Sequence, residues 1–195
     1  MPGVLLVEPT RLGDVRGFFS ETYRRTALAE AGFDAEFVQE NQSVSELIGT
    51  VRGLHFQRPP YAQDKLVRVI SGRILDVAVD VRSGSPTFGK SVVAELSADN
   101  FRQLLVPAGF AHGFQTLTPG AVVLYRVTEY YRAEAEGGLL WSDPDLQIDW
   151  PIPPTRATIN GRDAALPKLG AFRSPFTYEA PAKGRGFAPH GRKFE

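Results

Sequence analysis

The chain has 195 residues, 43% of them hydrophobic, which is enough for one well-filled core and too apolar for a disordered chain. Lys plus Arg number 22 and Asp plus Glu number 22, so no global charge draws the chain to nucleic acid or an anionic membrane, and any anion site must be local. There is no cysteine, which excludes disulfides, thiolate nucleophiles and zinc–thiolate sites.

The opening MPGVLLVEPTRLGD has too short an apolar run for a signal peptide, and no segment approaches a membrane span, so a cytoplasmic protein is expected. GDVRGFFSETY (13–23) reads as a turn and an edge strand with an aromatic inner face. RTALAEAGF (25–33) has Ala, Leu and Glu before a terminating glycine and predicts one short helix. FVQENQSVS (37–45) alternates, with Gln39, Asn41, Ser43 and Ser45 on one face. Such a face usually meets water; lining a pocket, it offers neutral hydrogen-bond partners for a polar ligand.

KLVRVISGRILDVAVDVR (65–82) predicts two strands joined at a Ser71-Gly72 hairpin turn. KSVVAELSADN and FRQLLVPAGF predict a further strand pair turning at Ala98-Asp99-Asn100, and AVVLYRVTEYY (121–131) another strand. Short strands with regularly spaced turn signals point to a sandwich or barrel. From Trp150 the PIPPT segment breaks regular structure, and the Gly-, Pro- and Arg-containing end predicts an irregular tail. One domain over residues 1–170 and a tail over 171–195 is the expected division.

RGLHFQ (52–57) places Arg52 and His55 close together in a chain with only three histidines. PAGFAH (107–112) places His112 after a Pro-x-Gly turn, a pattern that resembles the second half-motif of the cupin barrels. The first half-motif of those barrels carries His-x-His and a following Glu. Here it is His55-Phe56-Gln57, with Asp64 the nearest acid, so the metal set is incomplete. Alone, His55 reads as a partly buried imidazole satisfied by a carbonyl; Arg52, Lys65 and Arg68 nearby argue for more. Tyr125, Tyr130 and Tyr131 suit a strand, and tyrosine is also a workable proton donor. Asp163 in INGRDAALP (159–167) reads alone as a surface ion pair or helix cap.

Taken together, DVRGFFSETY, VRGLHFQ, QDKLVRVISGRILDVAVDVRSGSPTFG, VPAGFAHGFQTL, LYRVTEYY and WSDPDLQIDWP resemble, in order, the dTDP-4-dehydrorhamnose 3,5-epimerases. The resemblance runs from about Val4 to about Leu166. It implies a mainly β, cupin-type (jelly-roll) β-barrel with a few short helices. It also implies a homodimer, no metal and no organic cofactor. The implied reaction inverts C3 and C5 of dTDP-4-keto-6-deoxyglucose on the route to L-rhamnose.

By position, the resemblance implies His55 as base, Asp163 as the carboxylate that orients it, Tyr125 as proton donor and Lys65 beside the keto oxygen. Arg16, Glu21, Gln39, Asn41, Arg52, His112 and Glu136 match positions that hold the nucleotide, diphosphate or sugar, and Tyr131 matches an aromatic that stacks on thymine. Arg162 stands where the family often has Lys. Its planar, bidentate cation changes the phosphate geometry, not the presence of positive charge. Other readings are a mono-epimerase acting at C3 or C5 only, a non-catalytic nucleotide-sugar binder, and a metal-dependent cupin.

Overall fold

The computed structural model describes Met1 and residues 3–180. In chain order the strands and helices are β1 (Leu5–Val7), β2 (Leu12–Asp14), β3 (Gly17–Phe19), α1 (Arg25–Glu30), β4 (Gln39–Ser45) and β5 (Val51–Gln57). They continue with β6 (Lys65–Ser71), β7 (Arg73–Asp80), β8 (Ser91–Ser97), β9 (Gln103–Val106), β10 (Phe110–Thr116), β11 (Ala121–Val127), β12 (Glu136–Gly138) and α2 (Gly161–Ala164). Two five-stranded antiparallel sheets face one another. One runs β1-β9-β6-β11-β4, and the other β12-β5-β10-β7-β8. This is the expected cupin-type jelly roll. Among the described residues no helix is long and apolar enough to cross a membrane.

The strands form where β-branched residues alternate, because a pleated strand sends successive side chains to opposite faces. Val67, Val69, Ile74, Ala78, Phe110, Phe114 and Val123 meet between the sheets and are all buried. A second cluster covers the outer face of the β5–β10–β7 sheet, where Trp141, Leu146 and Phe176 pack over Val51, Phe56 and Val79. A third forms where α1 lays Leu28 on Leu66 and Leu105 of the other sheet.

Two expected pairings are corrected. The strands on either side of Ser71-Gly72 exist, but β6 pairs with β9 and β11 whereas β7 pairs with β10 and β8. Gly72, at φ +76°, is therefore a corner at which the chain passes from one sheet to the other. The turn at 98–100 is likewise a crossing, from β8 to β9. Alternation reports which face of a strand is apolar, and turn residues report a reversal. Neither names the partner strand.

Three further expectations are refined. The strand over 121–131 ends at Val127, leaving Tyr130 and Tyr131 in a loop. The 13–23 segment is a two-stranded hairpin of its own, β2–β3, and it exposes Phe18 and Phe19 instead of turning them inward. Residues 171–180 contain no strand, yet they pack. Phe172 and Phe176 pack edge-on to Phe56 with ring centroids 5.7 and 5.4 Å apart, and Ser83 and Tyr178 amides donate across the join. The remainder of the expected tail, 181–195, lies outside the described residues.

Candidate active site

A solvent-open cleft of about 630 Å³ enters the barrel between the two sheets. Gln39, Asn41, His55, Lys65, Tyr125, Tyr131 and Glu136 all line it. Each sheet contributes a different part of the chemistry. In one, Tyr125 of β11 lies opposite Asn41 of β4 and Val67 of β6, so Tyr125, Asn41, Gln39 and Lys65 share the inward face. The polar face of β4 thus points into a pocket and not to water. The other sheet brings His55 on β5 and Glu136 on β12.

His55 is held from behind. Its Nε2 lies 2.8 Å from Asp163 Oδ1, and the second carboxylate oxygen, Oδ2, accepts the Gly53 amide at 3.1 Å. Asp163 is not the surface group its local sequence suggested. It is 1% exposed, at the first turn of α2, and its own amide donates to the Asn160 cap at 2.7 Å. Burial alone would raise the Asp163 carboxyl. Hydrogen bonds from His55 and Gly53, with the charges of His55 and Arg162, outweigh it and hold the group below the usual carboxylate range. An ionised Asp163 accepts a proton-bearing Nε2, which leaves Nδ1 of His55 as the basic nitrogen.

Strand β5 can present His55 in this way because of Gly53. Its φ is +123°, and a β-carbon there would fall 2.6 Å from the Gly113 Cα of β10. Only glycine lets the two strands come this close beside His55.

Lys65 makes no ion pair within 4 Å among the described residues. Burial in the cleft wall lowers its ammonium to about 8, against the opposing pull of Asp76 and Glu136. Tyr125 moves the other way. Desolvation raises it, Arg52 pulls it down, and Glu136 and Tyr131 push it further up, so its phenol keeps its proton at neutral pH.

The remaining expected residues divide into those near the cleft and those away from it. Arg162 grips Glu136 with two hydrogen bonds of 2.6 Å, and the Tyr131 hydroxyl donates to Glu136 at 3.0 Å. Arg52 leans on β4 through Ser45 Oγ and the Val44 carbonyl. His112 is a direct cross-strand neighbour of His55, 7% exposed, with Nε2 lying 2.8 Å from Asp76 Oδ1. The two histidines therefore stand side by side within one sheet. Arg16 and Glu21 do not join the cleft of their own chain. Arg16 sits on the β2–β3 turn with Asp14, and Glu21 pairs with Arg24 beside a different pocket.

Sequence reading passed over Gln63 and Asp76 and weighed Gln57 only as a poor metal ligand. Gln57 accepts the Arg132 amide at 2.5 Å and donates to the carbonyls of Tyr61 and Tyr130, so it fixes the loop that carries Tyr131. Gln63 lines the cleft and donates to the Glu129 carbonyl at 2.6 Å. Asp64 ties Ala108 and Thr128 together and serves as a loop clamp. A buried position on an inward strand face is the signal that could have found Asp76. It is the one polar residue within the run Ile74–Val79 of β7.

A jelly roll whose cleft sets a histidine of one sheet, backed by a buried aspartate of α2, against a tyrosine of the other belongs with the cupin-type isomerases. The chain is a member of the dTDP-4-dehydrorhamnose 3,5-epimerase family, whose model matches residues 1–171. The Sinorhizobium fredii dTDP-4-dehydrorhamnose 3,5-epimerase is 50% identical over 175 residues, 90% of this chain and 89% of that protein. The Bacillus anthracis epimerase, solved with TDP and PPi bound, superposes with a TM-score of 0.82 at 50% identity, covering 85% of this chain and 94% of that one. The Legionella pneumophila enzyme, solved in complex with dTDP-4-keto-L-rhamnose, gives a TM-score of 0.87 at 41% identity over 92% and 96% of the two chains. This chain is accordingly a carbohydrate epimerase.

Proposed function

We propose that the chain inverts C3 and C5 of dTDP-4-dehydro-6-deoxy-D-glucose to give dTDP-4-dehydro-L-rhamnose, with His55 as base and Tyr125 as acid. The observation that carries this reading is the placement of the two groups. The His55–Asp163 pair and the Tyr125 phenol line one cleft from opposing sheets.

A C–H beside the C4 ketone is weakly acidic. His55 Nδ1 takes that proton, the electron pair moves onto O4, and an enolate forms. Asp163 stabilises the imidazolium that results. The Lys65 ammonium meets the charge on O4, and a preorganised donor of this kind is worth about 2.7–4 kcal/mol. Tyr125 then returns a proton from the opposite face, which inverts the carbon. His55 passes its proton to solvent and the Tyr125 phenolate regains one, so each turnover exchanges hydrogen with water. The same groups act at C3 and C5, because both carbons flank the one ketone.

The other residues take binding roles in this reading. Gln39 and Asn41 are neutral partners for sugar and base, Tyr131 stacks on thymine, and Arg52, His112, Glu136 and Arg162 hold the diphosphate end and the sugar. Arg16 and Glu21 act in a homodimer. The β2–β3 arm exposes Leu12, Val15, Phe18 and Phe19, and a second copy would bury that apolar surface while receiving Arg16 at its own cleft. A nucleotide-sugar substrate fits a cytoplasmic enzyme.

The test is incubation with dTDP-4-keto-6-deoxy-D-glucose in D2O, read by NMR. Deuterium at C3 and C5 is expected. Deuterium at one carbon only would make the chain a mono-epimerase. None at either, with no difference from His55→Ala, would make it a binder. Light scattering tests the dimer, and a monomer at working concentration would remove the role given to Arg16 and Glu21.

A further inference from the structure

Behind the cleft lies a second histidine–aspartate pair. Asp76, on β7, is 0% exposed, and its Oδ1 lies 2.8 Å from His112 Nε2. The other oxygen, Oδ2, is buried and meets no donor among the described residues. A buried carboxylate with half its capacity satisfied is costly, and such groups persist where they serve a purpose. Asp76 points into the space between the sheets. It lies diagonal to His112 across the β7–β10 ladder, where Asp76 faces Phe114 and His112 faces Ala78. His112 in turn faces His55 across β10 and β5. Lys65 comes from the facing sheet on its inward side, and Asp76 is the leading charge that favours its ammonium form.

We propose that Asp76 is a positioning residue for the epimerisation, acting through its two cationic or donor neighbours, His112 and Lys65. Its carboxylate fixes the Nε2–H tautomer of His112 and holds the Lys65 ammonium where O4 develops charge. Asp76 does not line the cleft. The assignment rests on the epimerase reading above and adds a residue to it.

The consequence is specific. O4 is common to both proton abstractions, so loss of the Asp76 charge affects C3 and C5 alike. A purely structural Asp76 would be replaceable by Asn, which has the same shape and keeps an oxygen to accept from His112.

The experiment is Asp76→Asn, assayed in D2O by NMR at both carbons with wild type as control. We expect kcat to fall about tenfold or more with KM within about twofold, and exchange at C3 and C5 to fall by the same factor. A kcat within about twofold of wild type, or losses at the two carbons differing by more than about threefold, would overturn the proposal. Should the variant not fold, the 15N shifts of His112 in the wild-type enzyme decide. Protonated Nε2 is expected, and protonation at Nδ1 alone would overturn the pairing. Wild type that exchanges at neither carbon would refute the epimerase reading itself, and the His112 spectrum would still judge the Asp76 pair.

Discussion

His55 and Tyr125 stand on different sheets of the sandwich and open onto the same cleft. Inversion at carbon needs a base on one side of the ring and an acid on the other. A two-layer fold supplies the two sides directly, because each layer can carry one group on its inward face. Asp163 lies behind His55 at 2.8 Å, and desolvation keeps the Tyr125 phenol protonated, as the proposed base and acid each require.

Asp163→Asn tests the first half of that arrangement. The amide can still occupy the site, but it no longer favours the Nε2–H tautomer or the imidazolium. Activity should fall by roughly 10⁴-fold, the scale lost when a histidine base loses its aspartate. Circular dichroism and thermal melting should show a folded protein. Retention of more than about a tenth of the rate would remove Asp163 from this role.

Tyr125→Phe tests the second half. Abstraction by His55 survives, so hydrogen exchange with retention should continue, while net inversion drops by about 10²–10⁴-fold. The two rates are read from one NMR time course in D2O. Equal losses in both would sink the division of labour.

Lys65 sets the expected alkaline limb. Burial lowers its ammonium to about 8, and the protonated form is the one that stabilises the enolate. On the alkaline side the rate should therefore fall as pH rises through about 8. Lys65→Arg keeps its charge throughout and should lose that limb, whatever its absolute rate. A variant profile that still falls near the same pH would assign the limb elsewhere.

Away from the site, Asp80 governs acid stability. Burial raises its carboxyl, but Arg82, Ser85 and Thr87 donate to it and bring it down from 3.8 to about 2. Its folded value is thus depressed. The stabilisation is fully present above the ordinary carboxylate value and is lost as pH falls from about 4 to about 2. At neutral pH, Asp80→Asn should cost about 2 kcal/mol in urea unfolding. A variant as stable as wild type at neutral pH would show that the hydrogen bonds do not favour the charged form.

Gly53→Ala joins strand geometry to chemistry. The added methyl meets Gly113 of β10, and the amide of residue 53 is a donor to Asp163. Both the melting temperature and the rate should fall together, with a stability loss of at least about 1–3 kcal/mol from the positive φ alone. An unchanged melting temperature would mean that β5 and β10 can separate freely there.

The strands themselves were legible from period-two alternation, because the pleat turns burial directly into sequence pattern. The helix over 25–30 was legible from its composition and its glycine stop. Motif resemblance carried the candidate site residues, and seven of them meet in one cleft. Strand pairing was not legible. Ser71-Gly72 has the residues of a hairpin turn, yet it sits at a corner between sheets, since a turn signal specifies a reversal of direction and not the neighbour that follows.

What the amino-acid sequence determined by itself is therefore the class of fold, the family and the residue types available for proton transfer. The tertiary structure alone decided how they are used. It buried Asp163 behind His55 across 108 positions of sequence, and it turned the polar face of β4 inward. It also put His112 beside His55 with Asp76 behind it, and kept Arg16 outside the cleft of its own chain. Hydrogen bonds and desolvation depend on distance in space, and distance in space is set by packing two sheets together, which no local pattern records.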